Sequence, residues 1–176
     1  MPRRVRKRGR DGVKRGVSSD QVCVLTAINE KGDVFVDMPC LGQLDEASAM
    51  ESLSAAALDG AIVSTDRLKA YRGVLAQLGA ALHRRVDPKD RPSGVINLVN
   101  ALHSRFKSFM QGFKGVSTRR LFNYLMWFKW AELAKRTDGR SGKLDLLSAQ
   151  VASGRYVTKW RDYKKTPYPF GMLEAA

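Results

Sequence analysis

Histidine, cysteine and acid are the scarce residues of this chain. Its 176 residues include two histidines, His83 and His103, which excludes a histidine-rich metal site. The two cysteines, Cys23 and Cys40, are too few and too far apart for a zinc motif. Reduced thiols in a cytoplasmic protein are the simpler reading, and the sequence leaves a disulfide open. No apolar run nears the roughly 20 residues a membrane-spanning helix needs, and no secretory hydrophobic segment follows the basic start. A membrane is therefore not an expected partner. Aspartate and glutamate total 17 against 31 lysines and arginines, a net charge of +14. That imbalance points to a polyanion, with nucleic acid first among the candidates.

What is present is an ordinary core-forming composition, 44% hydrophobic, enough for one domain. Three regions are expected: a basic flexible arm over residues 1–20, a folded region over 21–135 and a partly irregular extension over 136–176. Glycines and like charges between Pro2 and Gly16 argue against an isolated helix. Val22–Ile28 reads as a buried strand, Asn29–Gly32 as a hairpin turn and Val34–Met38 as the returning strand. Asp45 is a candidate N-cap for a helix from Glu46 to about Leu58. Ala61–Thr65 reads as a third strand, parallel after a crossover helix. A helix over Lys69–Leu78 stopped by Gly79, a short strand over Leu82–Val86 and a loop over Asp87–Gly94 follow. Val95 to about Met110 reads as a helix broken by Gly112 and Gly115. Thr118 is expected to cap a second helix, and Leu144–Val151 a short third. This order predicts a mixed α/β layer, its antiparallel hairpin first.

One helical face stands out. At about 3.6 residues per turn, Asn100, His103 and Lys107 share a stripe of the helix over Val95–Met110. An amide, an imidazole and an ammonium inside an apolar helix require partners, because a buried unpaired polar group is costly. Asp66, just past the third strand, can supply a carboxylate. Alone, such an aspartate is equally a turn former or an N-cap. Together, Asp66 and Asn100 offer oxygen ligands of the kind Mg²⁺ or Mn²⁺ accepts, with phosphate and water completing the shell. Lys107 would neutralise a phosphate, and His103 would contact substrate or position water. Arg105, Lys114, Arg119 and Arg120 are candidate backbone contacts on DNA. Tyr124, Trp127, Phe128 and Trp130 read as core, with stacking on unpaired bases as the lesser possibility.

Asn100-Ala-Leu-His-Ser-Arg-Phe-Lys107, then Gly112-Phe-Lys-Gly-Val-Ser-Thr118 and Asn123-Tyr-Leu-Met-Trp-Phe128, resemble bacterial insertion-sequence transposases of the DDE superfamily. The branch in question carries a signature written DDNK. Its asparagine and lysine would be Asn100 and Lys107, and Thr65-Asp66 with Ala70-Tyr-Arg72 would be the segment of its second aspartate. The resemblance covers roughly residues 3–135. It implies a ribonuclease-H-like mixed sheet flanked by helices, here with the first strand missing. It also implies two divalent metals, strand transfer on transposon-end DNA and a homo-oligomeric transpososome. In that family the first catalytic aspartate precedes the basic segment, and no residue of this chain replaces it. Asp37 lies in the wrong hairpin arm. The expectation is a catalytic-domain fragment that binds DNA, holds metal weakly and is inactive alone. The alternative is a non-catalytic basic nucleic-acid-binding protein.

Overall fold

The computed structural model describes residues 19, 21–56, 58–87 and 94–153, with 162, 165, 167 and 169–171 near the C-terminus. The basic arm expected up to residue 20 lies almost wholly outside the described residues, as does most of the loop expected over 87–94. The architecture is mixed α/β, with five helices and two small sheets.

β1 (Leu25–Ile28) and β2 (Val34–Asp37) pair antiparallel, with Thr26 opposite Val36 and Ile28 opposite Val34. The expected strands are each shortened. Val22 forms only an isolated bridge to Leu41. In the hairpin turn, Asn29 Oδ1 accepts from the Asp33 amide at 2.7 Å. Gly32 lies at φ +81°, where a side chain is strained, and a Cβ there would press the Arg136 side chain at 3.0 Å. Arg136 uses that space to reach Asp33 at 2.8 Å and the Lys31 carbonyl.

α1 (Glu46–Leu53) begins where expected, and the Asp45 side chain accepts from the Ser48 amide at 2.8 Å. It stops short of Leu58. Ser54 to Ala57 offers no large apolar side chain to bury, and propensity alone does not hold a last turn. β3 (Ile62–Thr65) and β4 (Leu82–Arg85) pair in parallel, Val63 opposite His83, joined through α2 (Tyr71–Gln77). α2 starts two residues late because Leu68–Ala70 forms turns, with the Tyr71 and Arg72 amides donating to Leu68 and Lys69 carbonyls.

α3 (Gly94–Gln111) and α4 (Thr118–Arg136) form the expected pair, but Ser117, not Thr118, occupies the N-cap. Lys114 at φ +51° and Gly115 at φ +113° turn the chain between them. α5 (Gly139–Ser153) is longer than the short helix expected. At the tail, Pro169–Gly171 forms a 3₁₀ turn where no regular structure was expected.

The alternation of strand side chains sorts the core into two layers. Leu25 and Phe35 point to one face of the hairpin, where Leu53, Val74 and Leu75 of α1 and α2 meet them. Val34 and Val36 point to the other, against Leu102 of α3 and Leu125 and Phe128 of α4. Val63 of β3 joins the first cluster, and α3 packs across both β1 and β3. The two sheets thus share a layer of helices on either side. Yet β1 pairs only with β2, and β3 only with β4, among the described residues. The single mixed sheet implied by the resemblance is present as two separate pairs.

Candidate nucleic-acid interface around α3

The site is built where α3 crosses from β1 to the end of β3. β3 ends at Thr65, and Asp66 follows it into the turn before α2. There Asp66 Oδ1 accepts from the Leu68 amide at 3.1 Å, so the carboxylate does form a turn. Its position also matters electrostatically. Tyr71, one turn on, has its phenol pushed up to about 12 by burial, helped by the negative charges of Asp66 and the Cys23 thiolate. Cys23 itself is a free thiol, pushed up to about 11 by burial and by its neighbour Cys40.

From α3, His103 reaches the other sheet. Its Nε2 shares a hydrogen bond with Thr26 Oγ1 of β1 at 2.6 Å. Burial and the Lys107 ammonium hold the imidazole below its ordinary value, while Asp66 pulls it back up. The opposing fields of Lys107 and Asp66 therefore meet at this ring. Asn100 lies one turn before His103 on the same strip of α3, the spacing at which helical side chains are neighbours. Asp66, His103 and Lys107 are thus brought into one electrostatic neighbourhood, with Asn100 on its flank.

The reason for the polar stripe differs from the one expected. Asn100, His103 and Lys107 are exposed, and Leu102, Phe106 and Phe109 form the buried face of the helix. No burial penalty forces partners on Asn100 or Lys107; only His103 is held in a fixed contact. Asp37 is turned away, as its hairpin arm suggests. Its Oδ2 accepts from Ser52 Oγ of α1 at 2.5 Å, on the face opposite α3. Of the candidate phosphate contacts, Lys114 is exposed in the α3–α4 turn. Arg119 and Arg120 are half-buried in the first turn of α4. Arg105 is engaged by buried Glu132, Nε to Oε2 at 2.8 Å, and so ties α3 to α4. The aromatic residues divide. Phe128 is core, packed edgewise on Phe106 at 5.2 Å, but Trp127 is 51% exposed. Sequence reasoning passed over Thr26; its one signal is a hydroxyl amid the apolar residues of β1.

The side chains at this site include donor types that magnesium accepts. Asp66 gives a carboxylate and Asn100 an amide oxygen, within the one or two protein ligands that magnesium uses beside phosphate and water. Among the described residues no group of three or more acidic, histidine or cysteine side chains gathers to hold a metal ion. Among the described residues no helix is long and apolar enough to cross a membrane. Comparison with protein-family models, with curated proteins and with solved structures returned no match.

The ring of His103 is sensitive to both charges. Its nitrogen resonances are expected to titrate below the ordinary value of about 6.5. Asp66→Asn removes the field that raises it, so the midpoint falls further; Lys107→Met removes the field that lowers it, so the midpoint rises. Heteronuclear NMR of the three proteins measures both shifts. A His103 midpoint unmoved by Asp66→Asn would separate the two residues.

Proposed function

We propose that this chain is the catalytic portion, or a remnant, of a DNA-transposing enzyme that acts by metal-assisted phosphodiester transfer. The observation that carries the reading is that Asp66, from the end of β3, and Lys107 of α3 both act electrostatically on His103, which α3 holds against Thr26 of β1. Asp66 and Asn100 would hold one divalent cation, which when bound neutralises phosphate charge and polarises the phosphorus–oxygen bond. Lys107 contributes a point charge for a neighbouring phosphate. His103, held neutral against Thr26, orients a water or a hydroxyl rather than adding charge. Lys114, Arg119 and Arg120, at the turn between α3 and α4, extend the cationic surface for duplex backbone.

The divided sheet supports the same reading. β1 and β3 each have an edge without a strand partner among the described residues, and both lie between the α1–α2 cluster and α3. A further strand between them would be covered on both faces. Its side chains toward α3 would enter the neighbourhood of Asp66 and His103, where an added carboxylate would complete a two-ion site. In the resemblance, that strand bears the first aspartate and precedes the basic arm. A form lacking such a strand is expected to bind DNA with weak or absent strand transfer. A homo-oligomer on transposon ends, a ribonuclease-H-like sheet and a cytoplasmic setting belong to this proposal.

A second reading, a non-catalytic nucleic-acid-binding protein, is favoured by the +14 charge alone. Metal-dependent nicking separates the two. This chain and a form extended at its N-terminus by an aspartate-bearing strand are incubated with supercoiled DNA in Mg²⁺ or Mn²⁺. The extended form is expected to nick, and Asp66→Asn to slow it by about 100-fold or more. Binding by both forms with no nicking under either metal establishes the second reading.

A further inference from the structure

A second surface, away from Asp66, carries a chemistry that the α3 site does not use. α5 has no buried residue, and its Leu144 and Leu147 are about half exposed at 52% and 47%. With α4 it borders two adjoining depressions of about 590 and 740 Å³, which share Trp130 and Leu147. Arg140 and Lys143 line the first; Trp127, Lys129 and Arg136 line the second. Among the described lining residues the only carboxylate is that of Asp33, already bound by Arg136 at 2.8 Å. Trp130 Nε1 is buried without an acceptor among the described residues.

Two demands are therefore made of whatever covers this surface. It must offer flat or apolar area to the indoles and negative charge to the cations. A second copy of the chain fails the second demand, because like cationic rims repel. The apolar face of a helix meets only the first and leaves the cations without an anion. Unpaired nucleotides meet both: base faces stack on indoles, and phosphates meet cations.

We propose that the α4–α5 depression binds single-stranded nucleic acid. Bases lie against Trp127 and Trp130, and phosphates against Lys129, Arg140 and Lys143. This surface is independent of the α3 site, so either assignment stands if the other fails.

The test is fluorescence anisotropy with labelled oligo(dT) of about twelve nucleotides, oligo(rU) of the same length and a hairpin duplex. Trp127→Ala is expected to weaken oligo(dT) or oligo(rU) binding by about 5- to 150-fold, the loss of one stacked base, and duplex binding by less than about twofold. The tighter of the two single strands identifies DNA or RNA as the source. The rim variant, Arg140→Gln with Lys143→Gln, keeps every aromatic contact and carries the test if Trp127→Ala loses helicity. It should make the slope of log affinity against log salt shallower by about 1.4 for the single strand. Unchanged single-strand affinity in Trp127→Ala, an equal loss on single strand and duplex, or an unchanged slope in the rim variant would each overturn the proposal.

Discussion

Phe128→Ala is expected to lower stability by about 3–5 kcal/mol. Phe128 is 1% exposed and stands between Phe106 and Phe109, with ring centroids at 5.2 and 5.5 Å. Leu102, Leu125, Val34 and Val36 share its cluster, so its removal leaves a void lined by closely packed side chains. Domains of this kind keep only about 5–15 kcal/mol in hand. At about 2–4 °C per kcal/mol, the thermal midpoint falls by roughly 6–20 °C. The effect reaches the site, because the cluster is what seats α3 against β1 and so places His103 beside Thr26. Circular-dichroism melts of Phe128→Ala and of Leu133→Ala, at a half-exposed position on the same helix, measure the contrast. Leu133→Ala should cost less than about 1 kcal/mol. Equal losses would mean that the packing under α3 is not the main support of the fold.

The elements that local pattern determines were readable, and those that distant contacts determine were not. Strong β-formers around Asn29–Gly32 specify the β1–β2 hairpin, and Asp45 specifies the start of α1. The separation into two sheets depends on pairings between remote segments, which no local pattern encodes. α5 shows a different kind of error. The helical pattern weakens beyond Thr137-Asp-Gly139, so only Leu144–Val151 reads as helix, yet α5 starts at Gly139 and its Gly142 packs closely: a Cβ there would meet Thr137 Cγ2 at 3.0 Å. A glycine in a tight helix–helix turn and a glycine ending a helix look alike in sequence. The candidate site was legible in the same partial way. Periodicity placed Asn100, His103 and Lys107 on one strip, but it could not tell a buried strip from an exposed one. The partner of His103 lies 77 residues away in β1. The exposure of Trp127 was hidden for a related reason, since helical spacing alone makes an aromatic residue look like core.

Glu132 is the other side chain whose loss should be felt widely. It is 6% exposed and carries two charge-assisted hydrogen bonds, to Arg105 Nε and Lys135 Nζ, both at 2.8 Å. Burial pushes its carboxyl up, but the two cations outweigh burial and hold it below the usual value. Because its cationic partners are 40% and 65% exposed, they recover water if the carboxylate is removed, which keeps the cost below that of a fully buried broken pair. Glu132→Gln should therefore cost about 1–3 kcal/mol at pH 7. The sign of the pH dependence follows from the depressed value. The folded chain binds fewer protons here than the unfolded one. The contribution is complete above the unfolded value near 4.5 and is lost as pH falls through the folded one. Urea melts from pH 7 to pH 3 should show wild type and Glu132→Gln converging in acid, with the gap opening as pH rises. A gap constant across that range would assign the loss to shape rather than to charge. The variant also tests how α3 is held. Arg105 stands two residues from His103 and two from Lys107, so releasing it from Glu132 frees the rotation of the strip that faces Asp66. The His103 midpoint should then move towards its ordinary value in Glu132→Gln, even though Glu132 itself lies on α4 and has no bond to the ring.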